Sequence, residues 1–113
     1  MKKILVVEDD MMLSDLIKTN FVRNGHEVYQ AEDSAKAIDV LAKEPIDIML
    51  LDYDLKDGDK SDKVLNWLKT NESKPKIYCI SGSIERYQLL NEIIPCEYTP
   101  KPFSLETLLQ IAF

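Results

Sequence analysis

The sequence contains few of the residues on which small disulfide-rich, metal-stapled or low-complexity proteins depend. Its 113 residues include only 3 glycines, 5 prolines, 2 cysteines and 1 histidine. Flexible linkers and low-complexity segments are therefore excluded. Cys79 and Cys96 form no CxxC motif and show no zinc-ligand spacing, so we expect neither a structural zinc nor a disulfide framework. Cys79 lies inside an apolar run, which favours a buried, reduced thiol.

Positive charge and long apolar runs are also scarce. The chain has 14 basic residues against 20 acidic ones, a net charge of −6, which argues against direct binding of nucleic acid. The apolar runs Ile4–Val7 and Ile48–Leu51 are too short for a signal core or a membrane span. We therefore expect a cytoplasmic protein without membrane contact. The length predicts one domain over residues 1–113.

Short apolar runs alternate with helical patterns along the chain. Five strands are predicted: Ile4–Val7, Glu27–Ala31, Ile46–Leu51, Ile77–Ile80 and Glu97–Thr99. Five helices follow them, with apolar stripes such as Leu13, Ile17 and Phe21 and with N-cap candidates Asp33 or Ser34 and Ser104. This alternation predicts βαβ units and a parallel sheet covered on both faces. We expect a flavodoxin-like α/β fold, a three-layer α/β/α doubly wound sandwich with strand order 2-1-3-4-5.

Chemically useful residues follow four of the five predicted strands. They are Glu8-Asp9-Asp10, Asp52, Ser81 and Lys101. The carboxyl ends of parallel strands share one edge of the sheet, and ligands bind there at the switch point. Any one of these residues alone is better explained as a turn or N-cap residue. Together they predict a site.

The carboxylates of Glu8, Asp9 and Asp52 repel one another, which favours a bound cation. An all-oxygen cluster without histidine or cysteine is typical of Mg²⁺, and we expect Asp10 to add to the negative charge at this edge. Lys101 adds a positive charge and Ser81 a hydroxyl donor. Metal, ammonium and hydroxyl around one carboxylate are typical of phosphoryl transfer, with Asp52 as the nucleophile.

In their order and spacing these motifs resemble the receiver domain of two-component response regulators over essentially the whole chain. The resemblance is carried by Ile4–Asp10, Asp47–Asp52, Ile80-Ser81-Gly82 and Tyr98–Phe103, the last with the usual cis-proline step at Pro102. The strand order 2-1-3-4-5 is also that of this family.

The resemblance implies a phosphorylation-controlled switch. A histidine kinase or a phosphotransfer protein would donate a phosphoryl group to Asp52. The Mg²⁺ ligands would be Asp9, Asp52 and the backbone carbonyl of Asp54, with Glu8 acting through water. The chain would be no enzyme beyond self-catalysed phosphoryl transfer and slow autodephosphorylation.

The resemblance also assigns the remaining site residues. Lys101 and Ser81 would hold the phosphoryl oxygens, and Ser81 and Tyr98 would form the switch that controls a downstream protein. Without an attached effector domain, the receiver is expected to signal to a separate molecule.

The sequence departs from the family pattern at a few positions. Lys56 replaces a common proline, Lys60-Ser61 a common glycine, and Pro95-Cys96 the usual Gly-Ala pair. The segment between Ser81 and Lys101 is also a little short.

Alternative functions remain at this point. Ile48–Asp54 also reads as a strand followed by a DxD motif, as in haloacid-dehalogenase-like, magnesium-dependent phosphatases, with Asp54 as general acid. That family places DxD on its first strand, whereas here the other acids come first. A flavodoxin-like carrier is disfavoured because acids occupy the loop that would cradle a phosphate. A receiver that only docks proteins, without phosphorylation, is the third alternative.

Overall fold

Five short strands form one parallel sheet in the order β2-β1-β3-β4-β5. The computed structural model describes residues 1–72 and 74–112, and Phe113, the end of the expected domain, lies outside them. The strands are β1 (Lys3–Val7), β2 (Glu27–Ala31), β3 (Ile48–Asp52), β4 (Lys76–Ser81) and β5 (Glu97–Pro100). The helices are α1 (Met11–Arg23), α2 (Ser34–Lys43), α3 (Asp62–Leu68), α4 (Ile84–Ile93) and α5 (Leu105–Gln110). The predicted fold class and strand order are confirmed.

The central strands bury both of their faces, which explains their continuous apolar sequences. Successive side chains of a strand point to opposite faces, so β1 and β3 each supply two separate cores. The core against α1 and α5 contains Ile4, Val6, Leu50, Ile17, Phe21 and Leu108. The core against α2, α3 and α4 contains Leu5, Val7, Met49, Leu51, Ala37, Leu65, Leu68 and Leu90. The result is the three-layer sandwich.

The helices begin and end at residues with local hydrogen-bonding or conformational reasons. Asp10 caps α1 by accepting hydrogen bonds from the backbone N–H groups of Met12 and Leu13 at 3.1 and 3.3 Å. Of the two cap candidates for α2, the structure selects Asp33, whose carboxylate accepts from a backbone N–H of the first turn. After α1, Gly25 adopts a φ of +86°, which glycine reaches at no steric cost. None of the helices in the described ranges is both long and apolar enough to cross a membrane.

The loop between β3 and α3 is polar in sequence, but part of it is buried. Ser61 has a φ of +69° and is fully buried. Its hydroxyl donates to the carbonyl oxygens of Asp52 and Tyr53, the latter at 2.9 Å. Ser61 therefore takes the left-handed conformation that glycine would adopt easily, and its side chain holds the backbone that follows β3.

Asp59 connects this loop to the start of α2. Its carboxylate accepts from the backbone N–H of Ser61 at 2.9 Å, and from the backbone N–H and hydroxyl of Ser34 at 2.9 and 2.6 Å. Partial burial acts to raise the pKa of Asp59, but the hydrogen bonds from Ser34 and Ser61 outweigh it and the pKa is lowered. The ionised carboxylate is the form that fits these donors.

We predict that Asp59→Ala lowers the free energy of unfolding by about 2 kcal/mol, because it leaves the buried hydroxyl and backbone donors without their charged acceptor. Urea unfolding would measure the change. Asp39→Ala is the matched control, since Asp39 is exposed within α2 and should leave stability nearly unchanged. A carboxyl with a lowered pKa contributes stability above its ordinary value and loses it as the pH falls through the folded value. The difference between wild type and Asp59→Ala should therefore shrink in acid; equal stabilities at neutral pH would contradict the prediction.

Candidate functional site

Three carboxylates meet at the carboxyl edge of the sheet, where the sequence predicts a site. Glu8 and Asp9 follow β1, and Asp52 ends β3, the neighbouring strand, with Val7 and Leu51 in register. One oxygen atom from each carboxylate lies within 4.8 Å of the others. Glu8 and Asp52 are only 3% and 5% exposed. Two acidic groups thus share a site that water barely reaches.

Burial and mutual repulsion change the protonation of this cluster. Burial, and next the negative charge of Asp52, raise the pKa of Glu8 from 4.5 to about 8. Burial also raises the pKa of Asp52, although Glu8 and Lys101 act in the opposite direction. At neutral pH the cluster therefore retains a proton when no cation balances it. The donor set is entirely oxygen, which suits a hard divalent cation.

Lys101 supplies the positive charge next to these carboxylates. Its ammonium nitrogen lies 3.2 Å from Oδ1 of Asp52 and 3.7 Å from Oε1 of Glu8. Burial acts to lower the pKa of Lys101, but the charges of Asp52 and Glu8 outweigh it and the pKa is raised. The side chain therefore stays an ammonium. The Lys101–Pro102 peptide bond is cis, as the resemblance implies.

Ser81 ends β4, the next strand after β3. It is 3% exposed, and its hydroxyl bonds with the backbone of Ser83: it accepts from the N–H and donates to the carbonyl oxygen, both at 3.1 Å. The hydroxyl is thus engaged within its own loop. To bind a group attached to Asp52 it must exchange these partners.

Tyr98 is hydrogen-bonded directly to the backbone of Ser81. Its hydroxyl donates to the Ser81 carbonyl oxygen at 3.1 Å. Its ring stacks on Tyr87 of α4, with centroids 4.9 Å apart and an angle of 28° between the planes. The contact with Tyr87 is not predicted from the sequence, because an aromatic residue on a weakly apolar helix does not indicate which residue it packs against. Ser81 and Tyr98, the two candidate switch residues, are therefore in direct contact through the hydrogen bond between them.

The side chain of Asp54 lies outside the carboxylate cluster. Its carboxylate pairs with Lys60 at 3.1 Å and with the guanidinium of Arg86, which also lies 5.7 Å from the centroid of the Tyr53 ring. The backbone carbonyl of Asp54 remains available as the Mg²⁺ ligand that the resemblance implies. A general-acid role for the side chain is disfavoured, because both of its partners are basic side chains. Neither ion pair is predicted from the sequence.

Asp10 also lies outside the group of three, although the sequence places it in the same acidic run. Its carboxylate is committed to capping α1. The cluster therefore has three carboxylates, and the fourth acid serves the helix that begins there.

The comparisons with known proteins agree with this architecture. The receiver domain of the Francisella response regulator 1452 is 25% identical, with a TM-score of 0.85 over 98% of this chain and 93% of that one. The chemotaxis response regulator CheY4 of Vibrio cholerae is 22% identical, with a TM-score of 0.89 over 99% and 96%. A response regulator from Burkholderia pseudomallei, solved with a phosphorylated aspartic acid, a calcium ion and citrate, is 22% identical with a TM-score of 0.86 over 96% and 65%.

The family comparison covers nearly the whole chain. The model of the response regulator receiver domain matches residues 4–113. This span contains β1 from its second residue onward, the other four strands in full, the three clustered carboxylates, Ser81, Tyr98 and Lys101. The chain belongs to the response regulator receiver domain family.

Proposed function

We propose that this receiver domain accepts a phosphoryl group onto Asp52 from a phosphohistidine of a histidine kinase or a phosphotransfer protein. The observation that carries the proposal is the position of Asp52. Its carboxylate is buried, lies within 4.8 Å of the Glu8 and Asp9 carboxylates, and is 3.2 Å from the Lys101 ammonium. A nucleophilic carboxylate beside a fixed positive charge suits attack on a phosphoryl group. The cytoplasmic location and the single domain over residues 1–113 stay predictions.

The same residues fit Mg²⁺. Asp9, Asp52 and the backbone carbonyl of Asp54 would hold the ion directly, with Glu8 acting through water. The fit rests on the all-oxygen donor set and on the raised pKa of Glu8, which burial and then the negative charge of Asp52 cause and which a bound cation would lower. The bound ion would neutralise charge on the phosphoryl oxygens. The structurally similar Burkholderia regulator was solved with both a phosphorylated aspartic acid and a calcium ion, which supports pairing a phosphoacceptor with a divalent cation in this proposal.

The proposed chemistry is a single transfer of a phosphoryl group from the donor histidine to Asp52. An oxygen of the Asp52 carboxylate attacks phosphorus, the new O–P bond forms, and the P–N bond to the donor histidine breaks. The electron pair of that bond stays on the imidazole nitrogen. Lys101 neutralises a phosphoryl oxygen, and its raised pKa keeps it charged during the step. The resulting acyl phosphate hydrolyses slowly, so the chain acts as a signalling phosphoacceptor and not as a turnover enzyme.

Ser81 and Tyr98 would report the new charge to a downstream protein. A phosphoryl group on Asp52 attracts the Ser81 hydroxyl, which must leave its two bonds to Ser83. The carbonyl of Ser81 is also the acceptor for the Tyr98 hydroxyl. A movement of Ser81 therefore changes the hydrogen bond that holds Tyr98, and a local electrostatic change becomes a packing change on β5.

We predict that a small phosphodonor with Mg²⁺ adds one phosphoryl group per chain, and that Asp52→Asn adds none. Intact-mass measurement would show both results. The sharper comparison is between two neighbouring acids: Asp54→Ala should retain phosphorylation, because only its backbone is used, whereas Asp9→Ala should weaken Mg²⁺ binding at least about tenfold.

Two outcomes would decide against this function. Continuous release of phosphate from many phosphate esters would favour a phosphatase. A wild-type chain that neither binds Mg²⁺ nor gains mass would favour a receiver that only docks proteins. Loss of phosphorylation in Asp54→Ala, with the fold intact by circular dichroism, would contradict the inference that only the backbone of Asp54 takes part.

We predict that Mg²⁺ affinity falls as the pH is lowered below about 8, the raised pKa of Glu8. Below that pH the cation must displace a proton, so the affinity should fall by up to about tenfold per pH unit. Calorimetry in buffers of different ionisation enthalpy would count the released protons. Glu8→Gln should flatten this dependence; an unchanged proton count in that variant would contradict the assignment.

In the metal-free protein, the same pKa shift of Glu8 should make the free energy of unfolding depend on pH. The pKa of Glu8 is raised on folding from 4.5 to about 8, so protonation of Glu8 favours the folded state. This contribution is complete below pH 4.5 and is lost as the pH rises to about 8. Without metal, Glu8→Gln should therefore lose less stability than wild type over this interval, as measured by urea unfolding.

We predict that phosphorylation shifts the ring resonances of Tyr98 in NMR spectra and leaves those of Tyr78 nearly unchanged. Tyr78 lies on β4 and packs in the core on the opposite face of the sheet, which makes it the matched control. Ser81→Ala should still be phosphorylated, but the Tyr98 shift should be reduced because the hydroxyl that responds is gone. An undiminished shift in Ser81→Ala would contradict the coupling.

A further inference from the structure

Two thiols meet next to Tyr98, away from the carboxylate site. Sγ of Cys79 lies 2.7 Å from Sγ of Cys96, and both cysteines are free. Cys79 is fully buried in β4, whereas Cys96 is half-buried and immediately precedes β5. Only a small further approach separates the sulfur atoms from the S–S bond length of about 2.0 Å. The pair is therefore placed for cross-linking within one chain.

The backbone of Cys96 is held from two sides. Its N–H donates to the side-chain oxygen of Asn91 at 2.9 Å, and its carbonyl oxygen accepts from the Tyr87 hydroxyl at 2.8 Å. The residue also lines a surface cavity of about 300 Å³ together with Asn91 and Lys76. A small reagent can thus reach Cys96, whereas Cys79 is buried and does not line this cavity.

The two thiols have different acidities. The hydrogen bond from Cys79 lowers the pKa of Cys96. The same bond, together with burial, raises the pKa of Cys79. Of the two thiols, Cys96 is therefore the one that ionises more readily, and Cys79 is the hydrogen-bond donor. A thiolate that is accessible and has a protonated thiol in contact is the arrangement of a reactive cysteine with its resolving partner.

We propose that Cys79 and Cys96 form a modification site at which a peroxide produces an intramolecular disulfide. The Cys96 thiolate attacks a peroxide oxygen: the S–O bond forms, the O–O bond breaks, and the departing hydroxide is protonated to water. Cys79 then attacks the sulfur of the Cys96 sulfenic acid. The S–S bond forms, the S–O bond breaks, and the proton of Cys79 leaves with the hydroxyl as water. Two thiols are oxidised and hydrogen peroxide is reduced to two waters.

The disulfide would link β5, the edge strand that carries Tyr98, to its neighbour β4. Cys79 is directly opposite Tyr98 in the β4–β5 register, and Cys96 precedes Tyr98 by two residues. A disulfide would tie the start of the four-residue edge strand β5 to the buried strand β4. We therefore expect slower amide exchange in residues 96–99 of the bridged protein.

The test uses the whole reduced chain without metal or phosphodonor, so its result is independent of the proposed phosphorylation. The protein is treated with hydrogen peroxide, alkylated with iodoacetamide and weighed intact. The expected product is a monomer that has lost two hydrogens, takes up no alkyl group, and takes up two after reduction with dithiothreitol. In Cys79→Ser the intermediate on Cys96 should instead be trapped by dimedone, whereas Cys96→Ser should give neither product.

Several results would overturn the proposal. Wild type that still accepts two alkyl groups after peroxide treatment would show that no bridge forms. Disulfide-linked dimers as the main product would show that the sulfurs react between chains. Accumulation of sulfinic acid on Cys96 in wild type would show that Cys79 does not resolve the intermediate. Because each result is read on wild type, instability of a variant does not affect the decision.

Discussion

Two carboxylates that are almost completely buried at the ends of adjacent strands place the strongest constraint on this molecule. Removing Glu8 and Asp52 from water disfavours their charged forms, and each negative charge makes the other less favourable. The fold tolerates them because Lys101 lies within 4 Å of both and because a proton is retained. The carboxyl edge of the sheet therefore carries more carboxylates than positively charged side chains. Under the proposed function, a bound cation would offset this excess of negative charge when Asp52 accepts a phosphoryl group.

The carbonyl group of Ser81 connects this charge balance to the rest of the domain. It accepts the backbone N–H of Lys101 at 3.0 Å and the Tyr98 hydroxyl at 3.1 Å. The lysine that faces Asp52 and the tyrosine on the outer strand therefore share one acceptor on β4. A displacement of Ser81 changes both bonds together, which is how a small shift at the site can alter packing on β5.

The sequence predicts the parts of this structure that depend on local pattern. Apolar runs identify the strands, and the parallel topology brings Glu8, Asp52 and Lys101 to one edge without further information. Contacts between distant segments are another matter: Asp54 meets Arg86 of α4 across 32 positions of the chain, and no sequence pattern marks them as a pair. The burial of Ser61 was equally invisible, because a polar residue at a positive φ looks like any other loop serine until its acceptors are known. The meeting of Cys79 and Cys96 needs the exact register of β4 and β5.

The hydrogen bonds divide the site into a fixed half and a movable half. The fixed half contains Asp52, whose backbone carbonyl is held by Ser61 and, through Asp59, by the start of α2. The movable half contains Ser81, whose hydroxyl bonds only within its own loop, to Ser83. Precise chemistry requires a rigid nucleophile, whereas signalling requires neighbours that can exchange partners.

The two halves are joined at the surface by the ion pair between Asp54 and Arg86 of α4. Both side chains are about half exposed, at 42% and 50%, and exposed pairs contribute only about 0–1 kcal/mol. Such a link orients α4, yet it could be given up at little cost if, as proposed, a phosphoryl group were added to Asp52. The partly buried hydrogen bonds of Asp59 to Ser34 and Ser61 cannot be exchanged so cheaply. The weaker connection therefore lies on the side of the site that would move under the proposed function.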